Sequence, residues 1–156
     1  MLRDPNKVPF TSLDSFNVAI AAPTAFTGGT VNTRGDDGGT SDPLTLFTVT
    51  GDVLVGVYGV CTTLLAGATA TLEVGVAGNT AGIIALTTAT DIDANEIWLD
   101  TTPSIGLDTS DALTFFIGVN GLDIIETVAT ADITSGQIYY IALWRPISAD
   151  GNVVAV

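Results

Sequence analysis

From Leu44 onward this chain is a series of short runs of Thr, Val, Ile and Leu, interrupted every few residues by Gly, Asp, Asn or Pro. No stretch repeats apolar residues at helical spacing for more than a turn or two. β-Branched side chains fit the pleated surface of a sheet and lose freedom in a helix, and glycine at this frequency undermines a helix interior. Such a sequence buries a core only by pairing strands. The expected fold class is all-β: an antiparallel β-sandwich or jelly-roll-like barrel of about eight strands over 44–156, preceded by an extended N-terminal arm over 1–43.

The runs differ in what they ask of their surroundings. Val53 to Cys61 is apolar in both phases of the alternation, which implies cover on both faces. Thr71 to Val76 alternates cleanly and places Leu72, Val74 and Val76 on a core face, with Thr71, Glu73 and Gly75 on a wet one. Further strands are expected at 82–87, 96–99, 112–119, 122–129 and 137–147. Asn120 and Gly121 both accept positive φ, so 112–129 is expected to be one hairpin. The run Gln137 to Pro146 is long and aromatic, as suits a central strand.

The first 43 residues read differently. They hold three of the four basic residues, four prolines and the glycine clusters at 28–29 and 35–39, with strand character only from Phe16 to Ala22. An arm that docks onto a partner is the expectation, with Arg3, Lys7, Phe10, Phe16, Phe26 and Arg34 as its contact residues.

Charge sets limits on partners. The 156 residues carry 17 acidic side chains against Arg3, Lys7, Arg34 and Arg145, a net charge of -13, with no basic residue from Gly35 to Trp144. Phosphate backbones bind through Lys and Arg, so no nucleic acid is expected as a partner, and no anionic membrane surface for the same reason. The first residues lack the apolar core of a signal peptide and no apolar run approaches membrane-spanning length, so a soluble mature chain is expected. Charged residues are only 13% of the chain, about half the usual share of roughly 25%. A surface so poor in charge is suited to being covered by partners.

The residues that carry chemistry are few. There is no histidine, which removes the commonest general base and metal ligand. Cys61, the one cysteine, sits in an apolar run and reads as a small buried hydrophobe. Asp91, Asp93, Glu96 and Asp100 surround Trp98, a grouping that a glycosidase resembles, though the chain lacks the aromatic sugar contacts such a site uses; a solvated acidic loop is the simpler reading. Asp91, Asp93 and Asn95 occupy the first three ligand positions of a calcium loop, but Glu96 stands where the loop needs glycine and Thr102 where it needs glutamate. They are a weak calcium candidate, and no cofactor is expected. Arg34, Gly35 and Asp36 spell a tripeptide of integrin-binding loops, a match too short to weigh. The protein is not expected to be an enzyme.

Taken together, the Pro- and Gly-rich early segment, the Thr- and Ala-rich short strands, the near absence of lysine and the stretch from Asp91 to Ser104 resemble a structural protein of a tailed-bacteriophage virion. Within that group the chain is most similar to the small capsid decoration, or cement, proteins. The resemblance implies a location on the outer capsid surface, the major capsid protein and further copies of the chain as partners, commonly in a homotrimer, and arms that link subunits. A second expectation is a receptor- or glycan-binding head-fibre or tail module that stacks ligands on Trp98, Tyr139 and Tyr140. Trp98 in a groove favours the second; Trp98 in the core does not.

Overall fold

The computed structural model describes residues 16–105, 113–118 and 121–156. It is a β-sandwich of two antiparallel sheets. Eleven strands are present among the described residues: β1 (Asn17–Ala21), β2 (Leu44–Thr50), β3 (Val53–Ala66), β4 (Thr71–Val76), β5 (Asn79–Thr88), β6 (Glu96–Trp98), β7 (Ser104–Ile105), β8 (Phe116–Gly118), β9 (Ile124–Ala129), β10 (Ser135–Pro146) and β11 (Asn152–Ala155). The first sheet runs β1-β10-β3-β6-β7, with β8 on the other half of β3, and the second runs β11-β2-β9-β4-β5.

The all-β expectation is met, while the count of about eight is low. The two strands it lacks in the body are β7 and β11, of two and four residues. Runs that short carry almost no alternation to read. As expected, β10 lies inside its sheet, between β1 and β3.

The expected hairpin at 112–129 does not form. β8 pairs with β3 in the first sheet, whereas β9 lies between β2 and β4 in the second. Gly121 does adopt φ +68, but its N–H donates to Gly51 O at 3.2 Å, and the strands on either side of it belong to different sheets. Six matched pairs between β4 and β9 outweigh what a three-residue β8 offers as a hairpin partner. Asn120 lies outside the described residues.

The core is built from the inward phase of each strand. Along β10 this phase is Ile138, Tyr140, Ala142 and Trp144, all buried. Tyr140 and Trp98 flank Gly59 in one cross-strand row, and the two rings meet edge to face at 6.3 Å. A Cβ on Gly59 would come within 3.3 Å of the Trp98 ring and 3.4 Å of the Tyr140 ring, so glycine there makes room for both. The Trp98 indole N–H is satisfied by Thr87 Oγ1 at 3.0 Å, which permits full burial. Sheet two contributes Phe47, Leu72, Val74, Ile84, Ile124 and Val128 from the opposite side.

The described part of 1–43 belongs to this body. β1 pairs with β10 over its full length, from Asn17↔Trp144 to Ala21↔Tyr140. The segment after it is tied down by Phe26 N–H to Gly136 O (3.0 Å), Gly28 N–H to Ile133 O (2.9 Å) and Ile133 N–H to Gly35 O (2.9 Å). At Gly28 the approach is so close that an added Cβ would overlap the Gly35 carbonyl.

Phe47→Ala is expected to cost about 3–5 kcal/mol through the cavity it leaves, read as a lower denaturant midpoint at unchanged slope. Thr48→Ala, one residue on and exposed, is expected to stay within about 0.5 kcal/mol.

Candidate functional site

Alternation in the first sheet leaves a second set of side chains pointing away from the core, and these form four cross-strand rows. Arg145, Leu54 and Ile117 make one; Val18, Leu143 and Gly56 the next; then Ile20, Ile141 and Tyr58; then Tyr139, Val60 and Ile97. Every member is aliphatic, aromatic or glycine except Arg145, and none is a carboxylate. Val18 is 59% exposed, Ile20 60% and Ile117 68%. Gly56 is buried because Phe115 lies over it: a Cβ there would meet the Phe115 ring at 3.1 Å. Phe16 stacks on Phe115 with centroids 4.9 Å apart, and the Arg145 guanidinium lies 5.3 Å from the Phe16 ring.

The outer face of the second sheet is different in kind. On β9 the Thr127 hydroxyl is buried without a hydrogen-bond partner and on β4 that of Thr71 donates to Ala129 O at 3.2 Å, while the exposed positions on β2 are Thr48 and Thr50. Threonine suits a wet sheet face because its hydroxyl stays hydrated. The carboxylates of the described chain lie in loops or on sheet two, apart from Glu96. Among the described residues, the outer rows of the first sheet thus carry no carboxylate, in a molecule of net charge -13.

The residues singled out by sequence are dispersed. Arg3, Lys7 and Phe10 lie outside the described residues, and Phe16 stands at the corner of the apolar face. Phe26 and Arg34 do not project toward a partner: both are buried inside the protein's own body, Arg34 at 4% exposure. Arg34 donates from Nε and Nη2 to both oxygens of Glu126, from Nη1 to Thr24 O at 2.7 Å, and its guanidinium covers the Phe26 ring at 3.8 Å. Tyr140 donates its hydroxyl to the same Glu126 carboxylate. Glu126 is in phase with Ile124 and Val128, so the fold points a carboxylate into the core and needs a cation to answer it. A buried Arg34 also removes the integrin-type reading of Arg34, Gly35 and Asp36.

The acidic stretch forms no centre. Asp91 and Asp93 are exposed, Asn95 holds the chain with φ +70, and Glu96 turns back to accept the Asp93 N–H at 2.7 Å. Among the described residues no three His, Cys, Asp or Glu side chains gather as metal ligands. Trp98 and Tyr140, expected as stacking surfaces, are in the core, which leaves Tyr139 alone at the surface. A cleft of about 190 Å³ between Val53, Val55, Ile83, Phe116 and Leu122 is apolar apart from Asn79, and another of about 240 Å³ is lined by Thr24, Arg34, Ser41 and Leu44.

Burial fixes the protonation of the inner groups. It pushes the Cys61 thiol up to about 11, while the thiol donates to Thr63 O at 3.3 Å. Burial and the Glu126 charge push the Tyr140 hydroxyl well above its ordinary range. For Arg34 burial opposes the charge, but Glu126 and Tyr140 outweigh it and hold the guanidinium above its usual value.

Two outcomes follow. Glu126→Gln leaves the Arg34 charge buried without its partner and is expected to cost about 3–5 kcal/mol, measured by denaturant unfolding. In alkali the unfolded chain gives up its Tyr140 proton from about pH 10 while the folded chain keeps it, so stability falls as pH rises past that point. Tyr140→Phe is expected to flatten that fall in a series of unfolding midpoints. Comparison with protein-family models, with curated proteins and with solved structures finds no match to this chain, so its site is read from geometry alone.

Proposed function

We propose that this protein is a non-enzymatic structural protein of a virion, which joins the outer surface of a capsid as an oligomer and stabilises the head lattice. The observation that carries the reading is the aliphatic outer face of the first sheet. Such a face gains free energy when covered by protein, and its described residues include no carboxylate to be desolvated. Its counterpart on the second sheet exposes Thr48 and Thr50 to water beside the isolated apolar side chains of Val154 and Leu86. The major capsid protein is the proposed lattice partner, and Arg3 and Lys7 are the proposed contacts with its acidic groups. Arg34 is not one of them, since its charge is already matched by Glu126.

Further support comes from what lines the clefts and loops. The apolar cleft offers no acid or base, and the exposed carboxylates at Asp91 and Asp93 face water. The alternative of a glycan-binding module loses the aromatic platform it relied on, because Trp98 and Tyr140 fill the core.

Decoration would stabilise a shell by mass action, through ligation of the assembled state alone, and multivalent attachment would raise its effective affinity. The test is co-sedimentation with a panel of undecorated tailed-phage capsid shells, together with the shells' thermal disruption temperature. Saturable binding with a raised disruption temperature is expected, and Arg3→Ser with Lys7→Ser is expected to weaken binding more at low salt than at high salt. Protein that stays in the supernatant with every shell, at every salt concentration, would contradict the reading.

A further inference from the structure

We infer that the outer face of the first sheet is a self-association surface, on which a second copy of this chain packs face to face about a two-fold axis. The inference stands whether or not the lattice partner is a capsid.

Charge selects this occupant. Two bodies of net charge -13 repel one another, so they approach closely only through surfaces that bring no carboxylates together. The outer positions of β1, β10, β3, β8 and β6 meet that condition, with Arg145 at one end as the only charge among them. A two-fold axis presents the same rows to themselves, Ile20 and Ile141 among them, and needs no complementary surface elsewhere. Twisted sheets pack in this way about 10 Å apart, their side chains interdigitating. An anionic membrane is a poor alternative occupant for a chain of this charge.

Size sets the strength. Four strands about 4.8 Å apart and some six residues long span roughly 400 Å² per copy, part of which, over Gly56, is already covered by Phe115. That is at or below the lower end of specific interfaces. The pair is therefore reversible, and its population rises with protein concentration.

The salt dependence has a distinctive sign. The contact itself is apolar while the bodies repel, so salt strengthens the pair, as the Debye length falls from about 30 Å at 0.01 M to about 8 Å at 0.15 M. A contact built on ion pairs, as proposed for Arg3 and Lys7 on a shell, weakens under the same change.

The experiment is sedimentation velocity on the full chain over a wide concentration range at 0.01 and 0.15 M salt. A monomer–dimer equilibrium that tightens with salt is expected. Ile20→Asp and Ile117→Asp, at opposite sides of the face, are each expected to raise Kd by about tenfold or more. Val154→Asp, 53% exposed on the second sheet, is expected to leave it unchanged. Thermal unfolding of each variant monitors the fold, and the salt series needs no variant. A monomer at all concentrations, a pair that weakens with salt, a stable trimer, or loss of the pair only in Val154→Asp would each overturn the inference.

Discussion

Glu126 enters the core from β9 of the second sheet, and the rest of the molecule is arranged around answering it. Tyr140, on β10 of the first sheet, donates one hydrogen bond to the carboxylate. Arg34 clasps both carboxylate oxygens from a loop that belongs to neither sheet. Three separate parts of the chain are therefore joined at one buried charge, and no pair of them closes the site alone. Arg34 also reaches the Thr24 carbonyl and lies on Phe26, so the loop that delivers it is itself folded onto the body. A buried ion pair adds little net stability over a well-packed apolar equivalent. Its effect here is positional: the segment 23–36 has one place in which the guanidinium is satisfied.

With the early segment held inside, β1 becomes an edge strand of the first sheet and extends that sheet's outer surface. The inner phase of β1 is Ala19 and Ala21, small because Ala142 and Tyr140 stand in the same rows. The larger Val18 and Ile20 are left outside. The outer face thus gains its aliphatic character partly because the core is filled by the rings of Tyr140, Trp98 and Trp144. The second sheet exposes Thr48 and Thr50 beside Val154 and Leu86, whereas the outer rows of the first are almost wholly aliphatic and aromatic and, among the described residues, hold no carboxylate, which suits them to contact.

Much of this was legible in the sequence, because alternation and turn residues are local signals. The strand at 16–22 and those at 44–50, 53–61, 71–76 and 137–147 correspond to β1, β2, β3, β4 and β10. What escaped was long-range. Arg34 sits in a loop of Gly and Asp and reads as solvent-exposed, and nothing nearby ties it to a residue 92 positions on. A signal did exist at the other end: Glu126 falls in the apolar phase of its run, where a carboxylate demands a partner. The turn at Gly121 misled because the same backbone conformation serves a hairpin and a crossing between sheets. β1 is apolar in both phases, so the sequence does not say which face is core, and the outer docking surface could not be read in advance.

Hydroxyl-radical footprinting of the full chain, dilute and concentrated, shows whether this protein makes its contacts through the outer face of the first sheet. Labelling of Ile20, Tyr139 and Ile117 is expected to fall on concentration while that of Val154 stays constant. Protection of Val154 with Ile20, Tyr139 and Ile117 still fully labelled would place the contact on the opposite sheet and contradict this expectation.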